Sequence, residues 1–403
     1  MSSDLAPAPG RLRSARIAVA ACFFLNAVFY ANLVPRLPEI KADLGLSNAS
    51  LGAALAALPL GALLAALSSA PLIRRFTSAR VASFGLVALG LALWAVAVAP
   101  NWPALAAALF VAGALDAVID VAQNAHGLRV QRLYGRSILN GLHGLWSIGA
   151  VSGGLLGSAA AGLEVPLVVH LGASAVLFGV LALVAYRALL PGDDDAERAP
   201  EETGTGTGSV VRRPGRRTVV LGLTALGILA ACGAFVEDAG ASWSALYLRT
   251  ELDTGAAVAG LGFVALQGAM TLGRLTGDRV VDRFGQRLVV QVGGALTALG
   301  MGLALAFPSV PTTLAGFALA GLGVATLVPA VYHAADELPG LRRGTGLAVI
   351  NWLLRIGFLL SPPLIGVLAD ATSLRVALLA VVVAGLGALL LGPALRTRVT
   401  APV

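Results

Sequence analysis

The segment Pro100-Asn101-Trp102-Pro103 recurs 208 residues later as Pro308-Ser309-Val310-Pro311. At the same offset Arg75-Phe76 recurs as Arg283-Phe284, and Ile148-Gly149 as Ile356-Gly357. Each pair sits at the same point in a series of long apolar segments, so the chain reads as two parallel copies of one hydrophobic bundle. A parallel duplication of this kind implies two halves that rock against each other around a central site.

Hydrophobic residues make up 57% of the chain and charged residues 12%. A soluble domain carries about 25% charge, so much of this surface is expected to face lipid. A membrane-crossing helix needs roughly 20 mainly apolar residues. Twelve candidates fall near 15–37, 50–72, 80–99, 103–125, 137–162, 165–188, 218–248, 255–280, 288–307, 312–334, 344–370 and 374–395. The expected fold is an all-α integral membrane protein, with two parallel six-helix repeats related by a pseudo-twofold axis along the membrane normal. The expected divisions are a disordered N-terminus (1–14), a first bundle (15–188), a linker (189–217), a second bundle (218–395) and a tail (396–403). Residues 17–34 resemble the core of a signal peptide, but no small-residue cleavage site follows, so an uncleaved first span is expected.

The net charge of +7 is a matter of topology rather than nucleic-acid binding, because basic residues cluster between apolar runs. With both termini cytoplasmic, only Arg36, Lys41, Arg249 and Arg375 fall outside, while Arg274 and Arg355 sit within spans. The chain is therefore expected in the cytoplasmic membrane with both termini inside. Asp193-Asp194-Asp195, a Thr-Gly alternation and Arg212-Arg213-Pro214-Gly215-Arg216-Arg217 cannot bury a core, so 189–217 reads as a cytoplasmic linker.

Conventional catalysis finds no support. The one lysine is Lys41, so no G-x-x-x-x-G-K phosphate loop exists and direct ATP coupling is not expected. His126, His143, His170 and His333 are scattered without metal-ligand spacing; His126, His143 and His333 read as interfacial packing. No metal or other cofactor is expected. Cys22 and Cys232 lie within apolar runs and read as buried free thiols.

The segment from Gly273 to Arg287, with its Asp282-Arg283-Phe284-Gly285-x-Arg287 core, resembles the loop signature of major facilitator superfamily transporters. Asp278 stands where that signature opens on glycine. In the first half the counterpart is eroded, with Arg74 at the aspartate position and Thr77 for glycine. Segments 235–244 and 120–124 look most like the bacterial branch near sugar:proton symporters. Drug:proton antiporters of the superfamily carry G-P-x-x-G-G in the fifth helix, where this chain has Ala150 for proline, which weakens an efflux assignment. The resemblance implies a mechanical role for the loop. Asp282 is expected to dock on the positive N-terminus of the fifth helix near Ser137, with Arg274 and Asp278 pairing at i, i+4 and Arg283 beside them. A static surface ion pair is the alternative.

Ionisable groups within spans cost at least about 2.5 kcal/mol and call for partners. Asp116, Asp120 and Asn124 line one face of the fourth helix at i, i+4, i+8, with Gln123 beside them. Two carboxylates a turn apart in low dielectric repel, so the pair is expected to hold a proton and carry it; a structural hydrogen-bonded pair is the alternative. Arg355 lies about 16 Å into the eleventh helix, with Asn351 one turn before it. It needs a counter-ion or an anionic ligand, and Asp116 is the expected partner, in a bond either cyclic or permanent. Glu237 and Asp238 are expected in the outer third of the seventh helix, either facing a vestibule as proton entry or substrate contacts or forming a merely hydrated helix end. Asn26 and Tyr30 near the midplane of the first helix suit a polar solute, or ordinary interhelical bonds. Pro362-Pro363 marks an expected bend whose freed carbonyls face the cavity.

The expected function is secondary transport of a small solute by alternating access, coupled to H+, with the protein working as a monomer in the lipid bilayer. The cavity is expected to be lined by helices 1, 4, 7 and 10, with contributions from 5, 8 and 11. Uptake of a polar solute is favoured over efflux of amphipathic compounds because aromatics make up 6% of the chain. A non-transporting receptor or scaffold of the same fold is the second class, and a membrane-embedded enzyme a weaker third.

Overall fold

The computed structural model describes residues 9–135, 138–192, 216–336, 338 and 345–395, and every regular element among them is helical. Among the described residues, twelve helices are long and apolar enough to span a bilayer. They are α1 (Gly10–Asp43), α2 (Asn48–Phe76), α3 (Ser78–Ala97), α4 (Trp102–Tyr134), α5 (Gly141–Gly162) and α6 (Leu167–Tyr186) in the first half. The second half holds α7 (Val219–Thr250), α8 (Ala256–Phe284), α9 (Gln286–Ala306), α10 (Val310–Ala335), α11 (Thr345–Ala371) and α12 (Leu374–Ala394). The even number puts the start of α1 and the end of α12 on one face, called here the terminal face; the other is the distal face.

The sequence repeat is a repeat of local structure. Asn101 caps α4 by accepting the Ala104 N–H at 3.1 Å, with Pro103 in the first turn. At the equivalent place Ser309 caps α10, in a capping box with Thr312. Arg75 stacks over Phe76, and Arg283 over Phe284, with guanidinium-to-ring distances of 5.4 and 5.5 Å. Thr77 and Gly285 share one unusual backbone conformation, with φ 74 and ψ 150 against φ 80 and ψ 149. Only glycine adopts that region without strain. Thr77→Gly is therefore expected to stabilise the protein by about 1 kcal/mol or more, read as a raised melting temperature in detergent.

Packing follows the same duplication. In the first half α1 packs on α5, α4 on α2 and α3, and α3 on α6. In the second, α7 packs on α11, α10 on α8 and α9, and α9 on α12. The halves meet along two seams, α2 with α11 and α5 with α8, which the pseudo-twofold exchanges. Side chains such as Leu67, Val176 and Leu390 stay exposed around the outside, as a lipid-facing surface requires.

Helix ends differ most from expectation. α4 runs to Tyr134 rather than 125, stopping at Gly135 in a left-handed cap with φ 67. A hydropathy window measures hydrocarbon thickness, while the helix continues past it until a residue breaks it. Beyond the expected end, Arg129 donates to the carbonyls of Leu190, Pro191 and Gly192. Residues 9–14, expected to be disordered, belong to the first helix, which begins at Pro9. Residues 1–8, 193–215 and 396–403 lie outside the described residues.

At the distal end α1 passes through a 3-10 turn, Val34–Arg36. Arg36 is buried there, and all three of its side-chain nitrogens are engaged within the first half. Nε donates to Glu39 at 2.7 Å, Nη2 to the Val165 carbonyl at 2.8 Å, and Nη1 to His170 Nδ1 at 3.2 Å. Because a guanidinium only donates, His170 carries its hydrogen on Nε2 and passes it to Asn32 Oδ1 at 2.8 Å. Asn32 in turn donates to Ser174.

Candidate functional site

Close approach of the halves is concentrated toward the distal face. A Cβ on Gly52 of α2 would lie 2.3 Å from the Pro362 carbonyl of α11, and one on Gly366 would lie 2.4 Å from the Asn48 carbonyl. On the other seam Gly154 faces Phe263 and Gly260 faces Ser158. Toward the terminal face the approach is looser: Gly144 meets only Leu275, at 3.7 Å, and Gly141 has nothing within 4 Å. The proline pair of α11 thus belongs to the α2 seam.

Below this seal a cavity of about 300 Å³ lies between the halves. Asn26 and Tyr30 of α1, Asp116 of α4 and Trp146 of α5 line it from the first half. Glu237 and Asp238 of α7, Phe263 and Gln267 of α8, and Arg355 and Phe358 of α11 face them from the second. Leu58, Pro59, Leu89, Leu93 and several alanines complete an apolar wall from α2, α3 and their neighbours.

The polar groups are positioned by one another. Asn26 donates to Asp116 Oδ1 at 2.8 Å, and Trp146 Nε1 donates to Asn26 Oδ1 at 2.9 Å. The amide is used from both ends, so Asp116 is held by α1 and α5 as well as by its own helix. Ser242, one turn along α7, lies 3.4 Å from Asp238 Oδ1. Asp238 Oδ2 and Gln267 Nε2 are buried without a hydrogen-bond partner among the described residues. Buried polar atoms are nearly always satisfied, and groups left open in a cavity are those free to meet a solute or a proton.

Several sequence expectations change. Asp116 and Arg355 face the same cavity within electrostatic reach, but no ion pair joins them; Arg355 has no hydrogen bond among the described residues. Asp120 and Asn124 do not line the cavity. They form a cluster nearer the terminal face, where Asn124 donates to Asp120 Oδ1 at 3.0 Å and His143 Nε2 donates to Asn124 Oδ1 at 3.2 Å. Asn351 is also outside it, accepting from Tyr332 at 3.1 Å. Helix α10 contributes no lining residue among those described, whereas α2 and α3 do.

Glu237 and Asp238 lie in the central cavity rather than an outer vestibule, because α7 continues to Thr250 with Trp243 and Tyr247 buried. Arg274 pairs with Glu237 across α7 and α8 at 3.3 Å, not with Asp278. Asp278, Asp282 and Arg283 are exposed at the end of α8. Ser137, the expected dock for Asp282, lies outside the described residues. Trp146, Gln267, Phe263 and Phe358 were not anticipated. A lone tryptophan or amide in an apolar span carries no signal of its own, and an overall aromatic fraction says nothing about clustering.

Residues 19–237 and 226–402 match the family described as the Major Facilitator Superfamily. The chain belongs to the Major Facilitator Superfamily. An MFS-type transporter of Yersinia pestis is 30% identical over 365 residues, covering 90% of this chain and 91% of the relative. The membrane protein MosC of Rhizobium meliloti is 30% identical over 378 residues, covering 91% and 87%. Among solved structures, the nucleoside transporter NupG superposes with a TM-score of 0.71 at 14% identity, covering 94% of this chain and 98% of NupG. A bacterial homologue of the human lysosomal transporter Spinster, in an inward-facing unoccupied conformation, reaches 0.73 at 13% identity, covering 96% and 98%. At such identities the two structures share the fold alone. As a member of this superfamily the protein is a multi-pass membrane transporter, not an enzyme.

Proposed function

We propose that this MFS transporter moves a small solute across the cytoplasmic membrane by alternating access coupled to protons, and that the terminal face is cytoplasmic. The observation that carries the proposal is the set of charged groups in one cavity between the halves. Asp116 and Asp238 face Arg355 there, and Asn26 and Trp146 brace Asp116. Carboxylates in a low-dielectric cavity can exchange a proton for a bond to a solute or to a guanidinium, which links protonation to opening. Arginine placement supports the orientation, and the seal at the distal face corresponds to a state open toward the cytoplasm. The monomer contains a complete cavity and is the proposed functional unit.

The lining favours a solute with polar groups on an apolar frame, and uptake is the primary reading. Efflux of amphipathic compounds is the second, supported by the four aromatic rings of Tyr30, Trp146, Phe263 and Phe358. A thermal-stability screen of purified protein should identify the ligand class, since saturation at a hundred times Kd stabilises by about 2.7 kcal/mol. Flux of the best ligand is then measured in proteoliposomes under an imposed pH gradient of either sign. Acceleration by protons flowing with the solute supports uptake, and acceleration by protons flowing against it supports efflux. A ligand that binds but never crosses would favour the receptor reading instead.

A further inference from the structure

We infer that Asp370 is a gating residue of the transport cycle: carried by the second half, its carboxylate holds the distal face shut by capping helix α2 of the first. The inference rests on the alternating-access reading above. The opening N–H groups of a helix have no intrahelical acceptor and carry its positive pole. In α2 three of them have identified partners. Ser50 N–H donates to Ser47 Oγ at 3.1 Å, within the first half. Asn48 N–H donates to Asp370 Oδ1 at 2.9 Å and Ala49 N–H to Asp370 Oδ2 at 2.8 Å, both across the seam.

These two bonds exist only while α2 and α11 touch, because Gly52 and Gly366 bring the backbones together at the same place. Asp370 is exposed, so on opening both partners turn to water rather than being stranded. The contact therefore biases the equilibrium between closed and open without locking it.

The duplication supplies an internal comparison. The residue 208 positions before Asp370 is Gly162, at the end of α5, facing the start of α8. A Cβ there would lie 2.5 Å from the Ala257 Cβ, so that seam has no room for a side chain. Helix α8 opens on Gly255, which provides no side-chain cap. The carboxylate is thus a property of one seam and not a consequence of the fold.

The test measures distances between spin labels on Ala42→Cys and Glu251→Cys, at the distal ends of α1 and α7 in different halves, in nanodiscs and in a background with Cys22 and Cys232 replaced. Gly52→Val, whose side chain prevents closure, supplies the open reference. Asp370→Asn should raise the ratio of long to short distances about fivefold, the equivalent of about 1 kcal/mol for a lost cap. Asp370→Glu should restore the parental distribution. Asn101→Ala, which removes the α4 cap internal to the first half, should leave it unchanged. A parental distribution in Asp370→Asn, or an equal shift in Asn101→Ala, overturns the gating role. If Gly52→Val also stays short, the seam does not move and the alternating-access reading fails with it.

Discussion

Arg355→Ala is expected to abolish transport while the protein still folds and reaches the membrane. Arg355 faces Asp116 and Asp238 across the cavity and has no hydrogen bond among the described residues. Removing one member of a set of charges in low dielectric leaves the others uncompensated, at a cost of about 3–5 kcal/mol. Flux should therefore fall about a hundredfold or more, measured in proteoliposomes against protein counted on a gel. Arg355→Lys keeps the charge but loses the fork of donors, so partial flux from it would point to electrostatics rather than to bidentate recognition. Normal flux in the alanine variant would remove Arg355 from the mechanism.

The second large effect is expected at Asp116. Asparagine preserves the shape and the bond to Asn26 but fixes the group in an uncharged form, so it can neither take up nor release a proton. Flux driven by a proton gradient should fall by about 5–150-fold, the range of a coupling free energy of 1–3 kcal/mol. Solute exchange at equal pH on both sides should survive, because exchange needs no net proton movement. Asp120→Asn is expected to do less, since Asp120 lies outside the cavity in the cluster with Asn124 and His143. If neither substitution alters the response to the gradient, proton carriage belongs to other groups, with Asp238 the first to examine.

The duplication and the spans were legible because they rest on many residues at once. Asn101 and Ser309 mark the same helix start in both halves, and apolar runs of about 20 residues leave few other architectures. Asp116 and Arg355 were also legible, since each is a charge where hydrocarbon forbids one, whereas Glu237 and Asp238 read as facing an outer vestibule. Depth and partner were not. Periodicity put Asp116, Asp120 and Asn124 on one face of α4, but only Asp116 reaches the cavity, because the cavity ends a turn sooner. Arg274 could find Asp278 by helical spacing, yet Glu237 on the next helix is its partner, and no spacing rule sees across helices. Asp370 carried no signal in the sequence, because its acceptor role depends on backbone 321 residues away.

The network around Arg36 has a consequence for how a solute would enter from the distal side. With Glu39, His170 and the Val165 carbonyl all gripping one guanidinium, the last turns of α1 are riveted to α6. Pro35, their neighbour, presses on Gly260 of the opposite half. One lip of the distal face is therefore stiff, and a parting of the halves there is expected to carry α8 away from it rather than to bend α1.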